Sequence, residues 1–292
     1  MSEYKHRWGD RRNGRLLRSL SPYSQFTPYI MVKRNESNNL SEENLRINEV
    51  DDFLHQLRKD GYKGIGMMHF VIAAYVRALS QYPGLNRYIA GRRVYAKDEI
   101  DVAMVVKRTM DLTGDETTIK VKFEPTDTLL DVYQKFNAEV EVIKNEPEDN
   151  GAERVVGIFA KMPRFLIRFA IFMLKVMDYL DLIPKSLLDV SPFHTTMFFT
   201  NVGSLGLKPV FHHLYDFGTT PIFVAMGGKR IAYEMNRKGE VEANKYLDVR
   251  FTMDERIADG FYFAAFLKEL KKAFNHPESL MTPPEKVVDD IP

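Results

Sequence analysis

A chain of 292 residues with 45% hydrophobic side chains is long enough to bury one large core, and 41 basic against 40 acidic residues leave a formal net charge of only +1, so no global field recruits nucleic acid or an anionic membrane. The absence of cysteine excludes a disulfide framework, a thiolate nucleophile and a Cys-ligated zinc or iron–sulfur centre. A reducing, cytoplasmic setting is the simplest expectation.

Residues 1–22 carry Lys5, Arg7, Arg11, Arg12, Arg15 and Arg18 without the apolar run of a secretory signal, and Glu3 and Asp10 interrupt a mitochondrial presequence pattern. They read as a basic, packed arm in which Trp8 and Leu16-Leu17 fit a first helix. The loose alternation from Tyr23 to Lys33 suggests a strand, and the polar run Asn35 to Asn44 a loop. Val50, Phe53, Leu54 and Leu57 recur at helical spacing, as do Phe70, Ala73, Ala74, Arg77 and Ala78 before Pro83-Gly84. Both segments predict amphipathic helices.

Arg93 to Tyr95, Ile100 to Val106 and Thr117 to Phe123 are short β-rich runs, with Thr113-Gly114-Asp115 turning between the last two. Thr126 to Asp131 opens a third helix with Asp127 or Thr128 as its cap. Asn145 to Gly151 is a polar break, read as a loop rather than a linker. The apolar segment 163–184 places Arg164, Arg168, Lys175 and Asp178 along one narrow stripe. Four charges make it a poor transmembrane span, and a buried or subunit-contact helix is preferred to a membrane-surface or substrate-entrance element. Thr195 to Thr200, Pro221 to Met226 and Val249 to Met253 have strand length, and Gly260 to Phe274 forms a last helix before the Pro-rich tail 281–292. A mixed α/β sheet with helices packed on it follows, and residues 23–280 form one domain.

Two segments carry more than fold class. Phe251-Thr252-Met253-Asp254-Glu255-Arg256-Ile257-Ala258-Asp259-Gly260 is a strand ending in Asp-x-Arg-x-x-Asp-Gly and running into a helix, and Phe198-Phe199-Thr200-Asn201-Val202-Gly203-Ser204-Leu205-Gly206 is followed by the apolar strand ending at Gly227. Together they resemble the catalytic-core family of the 2-oxo acid dehydrogenase acyltransferases and its chloramphenicol acetyltransferase relatives. Weaker similarity reaches upstream to Tyr82-Pro83-Gly84-Leu85-Asn86 and Asp101 to Val106. The resemblance spans roughly residues 25–280, and departs from the family pattern where Glu255 stands in place of its histidine.

The resemblance implies a two-layer, mixed-sheet α/β sandwich assembled as a homotrimer, with a coenzyme A thioester and a small acyl acceptor meeting between subunits. The residue at position 255 would deprotonate the acceptor, Thr200 would donate to the oxyanion, and Asp259 would fix the local structure through a basic partner. No lipoyl domain is expected to deliver the acyl group. No metal is called for, because no His/Asp/Glu cluster has convincing ligand spacing, and His212-His213 would point apart in an extended chain.

An ordinary glutamate near pKa 4.3 facing a thiol near 8.5 makes proton transfer uphill by about 5.7 kcal/mol, whereas histidine roughly halves that. Glu255 is therefore either a base made stronger by burial or a structural residue beside the last helix. His212 and His213 are the alternative bases, while His194 shares strand parity with Thr200 but lies about 20 Å along the strand. Thr200 fits equally an oxyanion donor and a hydroxyl that satisfies the following turn. Asn201, Gly203 and Gly260 read as turn residues, Asn201 and Gly203 for a positive-φ conformation. A non-catalytic trimeric binding or scaffold protein that has lost its base is the competing reading.

Overall fold

The computed structural model describes residues 6–107, 116–145 and 162–292. Four helices form its main layer. Helix α1 (Pro22–Ile30) lies outside that layer, and α2 (Asn48–Lys59) begins it by burying Val50, Leu54 and Leu57 along one stripe. Nearly every residue of α3 (Met67–Gln81) is buried, and it stops before Pro83, whose ring cannot continue a helix interior. Thr128 caps α4 (Leu129–Asn145) reciprocally: its hydroxyl accepts from Asp131 N at 3.3 Å, and the Asp131 carboxylate accepts from Thr128 N at 2.8 Å. The apolar segment forms α5 (Arg164–Tyr179), and a short α6 (Lys185–Val190) follows. The last helix, α7 (Gly260–Asn275), is capped by Asp259.

The strands are β1 (Gly14–Leu16), β2 (Asn38–Arg46), β3 (Arg87–Ala90), β4 (Arg93–Lys97), β5 (Ile100–Lys107), β6 (Glu116–Phe123), β7 (Met197–Asn201), β8 (Ile222–Met235) and β9 (Val241–Asp254). Six of them form one sheet in the order β2-β9-β8-β7-β5-β6, and β1-β4-β3 form a smaller one. The large sheet is mixed, since β7 runs parallel to both β5 and β8 while the other pairs are antiparallel.

Side-chain alternation divides the two faces of this sheet. Met197, Phe199, Ile222, Val224, Phe251 and Met253 join the core with α2, α3, α4 and α7. Each fully buried side chain of this size contributes about 1.5–3 kcal/mol of transfer free energy. The alternate residues Ala103, Phe198, Phe223 and Ala225 form a separate small cluster with Leu214. The connection from β7 to β8 therefore covers part of the second face.

Several expectations are corrected. Tyr23 to Lys33 is mainly helix, because Ser21 accepts from Ser24 N and Pro22 occupies the first turn. Asn35 to Asn44 contains most of β2, a polar edge strand whose hydrogen bonds come from β9. The arm contributes β1 instead of a helix, and Trp8 is 94% exposed. No residue of α5 is buried, so it is no core helix of this subunit. The final two strands are longer than expected and pair through a hairpin to Met235↔Val241. The expected turn at 113–115 lies outside the described residues, as does the break at 145–151 beyond Asn145. The Pro-rich tail packs back: Arg87 holds Asp290, and Val288 N donates to Ser80 O at 2.8 Å.

Candidate functional site

The end of β9 is built on a buried charge frame. The Asp254 carboxylate, fully buried, accepts from Arg256 Nε at 2.8 Å and Nη2 at 2.7 Å, and Arg34 Nε lies 3.4 Å away. Arg34 also donates to the carbonyls of Tyr215 and Gly218 at 2.8 Å and Ile89 at 3.1 Å. Burial pushes the Arg34 pKa down and Asp254 opposes that shift. Through Arg34, Asp254 thus ties the strand end to the segment before β2, to β3 and to the β7–β8 connection.

Glu255 follows directly. Its backbone N–H donates to Ser37 O at 3.0 Å, while its side chain is exposed and has no hydrogen-bond or ionic partner among the described residues. It lines a cavity of about 430 Å³ together with Ser24 and Thr27 of α1, Met31 just past that helix, Asp259 and Tyr262. Asp259 accepts from Tyr262 N at 2.8 Å as the cap of α7. No described basic side chain pairs with Asp259, so the local ionic frame belongs to Asp254 instead. Gly260 has open space around its Cβ position and serves as the first helical residue.

Thr200 stands at the other end of the sheet. It pairs with Ala225, which pairs with Arg250, and Glu255 lies five residues beyond Arg250. Five strand residues and two strand spacings separate Thr200 from Glu255 by about 20 Å. One subunit does not bring them together. The Thr200 hydroxyl has no described hydrogen-bond partner, and the turn after it is satisfied by Asn201, whose Oδ1 accepts from Ser204 N at 3.3 Å. Gly203 is required for close approach, not for positive φ: a Cβ there would lie 2.2 Å from Gly227 O. The left-handed residue of this turn is Gly206, at φ 72°.

His212 lies on the second sheet face, the face that bears Thr200. Its ring stacks on Phe223 at 4.1 Å, and Phe223 pairs with Phe198, two residues before Thr200. His212 and His213 do not point apart; their rings stack at 4.6 Å, and His212 Nδ1 lies 2.7 Å from His213 O. His194 is buried, with Nδ1 2.7 Å from Ser191 Oγ and Nε2 3.5 Å from Asp178. It is a structural residue.

Among the described residues no group of three or more His, Cys, Asp or Glu is placed to hold a metal. A second buried ionic cluster joins Asp101 to Lys97 and Lys120. Burial pushes Lys97 down to about 8, against the attraction of Asp101. Asp101 also accepts from Thr196 N at 2.7 Å, so the cluster locks β5 to the entry of β7. Arg34, Ser24 and Thr27 escaped the sequence reading. The Ser21-Pro22 helix start could have revealed the last two, whereas nothing local marks Arg34.

A helix-covered mixed sheet with this strand order, and with its chemistry-bearing residues at strand ends, defines an acyltransferase-core fold. A probable dihydrolipoamide acetyltransferase from Listeria monocytogenes superposes with a TM-score of 0.56 at 11% identity, covering 87% of this chain and 89% of that one. A chloramphenicol acetyltransferase gives 0.55 at 12%, with 89% and 98% covered, and the cubic core of a pyruvate dehydrogenase multienzyme complex 0.54 at 12%, with 88% of each. Residues 194–282, from the approach to β7 through the last helix, match the family of 2-oxoacid dehydrogenases acyltransferase (catalytic domain). The chain is thus similar to that family in its C-terminal sequence and in its fold. No curated relative matches the chain.

Proposed function

We propose that this protein transfers an acyl group from a coenzyme A thioester to a small acceptor, at a site formed between two copies of the chain. The observation that carries the reading is the family match over residues 194–282, which contains Thr200, both loop histidines and Glu255. Thr200, with its unengaged hydroxyl, donates to the oxyanion of the tetrahedral intermediate. Glu255 of a neighbouring copy approaches that hydroxyl and takes the acceptor's proton, its carboxylate desolvated by the contact. A homotrimer closes such contacts by cyclic symmetry.

A second reading has its own observation. His212 shares a sheet face with Thr200 and is held against Phe223, so it supplies an imidazole base without help from Glu255. Thiol release from acetyl-CoA, followed with a simple acceptor, tests all roles. Glu255→Gln abolishes turnover under the first reading and His212→Ala under the second, with coenzyme binding retained in both. If Thr200→Ala, Glu255→Gln and His212→Ala all leave a measurable wild-type rate unchanged, the catalytic groups lie elsewhere; if wild type itself has no turnover, the protein is a non-catalytic binding or scaffold member of the fold.

A further inference from the structure

Helix α5 (Arg164–Tyr179) is apolar around most of its circumference, yet none of its residues is buried. Phe165, Phe169, Phe172 and Tyr179 form one outward ridge, each between 59% and 70% exposed. Arg164, Arg168 and Lys175 form a row beside that ridge at the same helical spacing. All three are exposed, and none has an acidic partner among the described residues. The segment 163–177 contains no acidic residue. Asp178, the nearest, turns inward to Arg11 at 3.1 Å and His194 at 3.5 Å.

The ridge continues past the helix end. Gly91 packs on Tyr179, a Cβ there lying 3.7 Å from its carbonyl oxygen. The next residue, Arg92, places its guanidinium 6.0 Å from the Tyr29 ring centroid, and Phe26 stacks with Tyr29 at 6.5 Å. Phe26 is 60% and Ile30 65% exposed. An aromatic ridge flanked by unpaired cations has the make-up of a helix lying in a lipid interface. A self-contact of α5 would set two rows of like charge against each other with no acidic row to answer them.

We propose that α5, together with the exposed side of α1, docks this protein peripherally on an anionic lipid surface. The formal charge of +1 supplies no global attraction, so recognition is local: the phenylalanines enter the headgroup boundary and the basic row meets lipid phosphate. No described helix is long and apolar enough to cross a membrane. Because α1 also lines the Glu255 cavity with Ser24 and Thr27, docking holds that cavity one helix away from lipid.

Sedimentation of the full chain with phosphatidylcholine vesicles, with or without about a third of phosphatidylglycerol, tests this. Wild type pellets with the anionic vesicles only, and added salt releases it. Each basic side chain contributes about fivefold to such binding. The triple variant Arg164→Glu, Arg168→Glu, Lys175→Glu therefore loses well over tenfold, as does Phe165→Ser, Phe169→Ser, Phe172→Ser. The charge variant leaves the apolar ridge intact, so it decides the matter if the second variant misfolds. Wild type remaining in the supernatant with both lipids overturns the proposal, and so does a charge variant that pellets like wild type. A variant that shrinks the oligomer in light scattering, where wild type ignores vesicles, assigns the face to another copy instead.

Discussion

If Thr200 and Glu255 act on one substrate, mixing two inactive variants restores activity. The register places the residues about 20 Å apart within a subunit, while a threonine and a glutamate side chain together reach less than half of that. A working site then takes Thr200 from one copy and Glu255 from the next. In a 1:1 mixture of Thr200→Ala and Glu255→Gln chains, half the copies keep Thr200, and half of their neighbours keep Glu255. Random reassembly into closed rings thus regenerates about a quarter of the wild-type sites. The variants are unfolded and refolded together, mixed assembly is verified with a mass-tagged partner, and acetyl-CoA turnover is compared with each variant refolded alone. Recovery near one quarter supports the shared site. With an active wild type, mixed oligomers no more active than the parents refute the reasoning.

Glu255→His supplies a base with a nearly neutral ordinary pKa; if general-base transfer limits wild type, steady-state turnover rises by up to about 10²–10⁴-fold, and an unchanged rate places the base elsewhere. Arg34→Ala removes donors from three carbonyls and one partner from the buried Asp254 carboxylate, which costs about 3–5 kcal/mol in urea unfolding. Arg34→Lys does not recover it, since an ammonium cannot fork to those acceptors; a loss under 1 kcal/mol for Arg34→Ala contradicts the frame. His69 accepts from Gly66 N at 3.1 Å, and burial lowers its pKa from 6.5 to about 4. The unfolded chain binds a proton below pH 6.5 that the folded chain refuses until about pH 4, so stability is full above 6.5 and falls between these values, by about 3 kcal/mol at most. His69→Phe flattens that part of the stability profile; identical slopes for variant and wild type remove His69 as its cause.

Periodicity made α2, α4 and α7 readable, because each presents one apolar stripe to the same core, whereas α3 is buried nearly all round and was marked by its end before Pro83-Gly84. It failed at α1, where the informative residues were Ser21 and Pro22 at the start, not the apolar pattern after them. It failed at β2 for another reason. Asn38–Arg46 is polar because it is an edge strand, and its pairing partner β9 is remote in sequence. Arg34 was illegible in the same way: its partners Ile89, Tyr215, Gly218 and Asp254 come from three distant segments. The motif at 251–260 marked where chemistry belongs. It did not distinguish Asp259, a helix cap, from Asp254, the residue that carries the ion pairs.

Two surfaces of the sheet bear on the proposal that the site lies between copies. The β7–β8 connection covers the second face around Phe198 and Phe223, but it leaves Thr200 half-buried with its hydroxyl unengaged and Val105 41% exposed. Beyond Tyr246, where β2 ends its pairing, β8 and β9 run on as a two-stranded ribbon. One face of that ribbon carries Ile231, Tyr233 and Met235 opposite Ala243 and Val241, and its large apolar side chains are 60–76% exposed. An isolated two-stranded ribbon is marginal in water, so this apolar face calls for cover. Under the proposed assembly a neighbouring copy provides it. If that contact also joins Glu255 of one copy to Thr200 of the next, Tyr233→Asp, which leaves the core untouched, removes both the oligomer in light scattering and turnover with acetyl-CoA; an oligomer that persists in the variant refutes the cover.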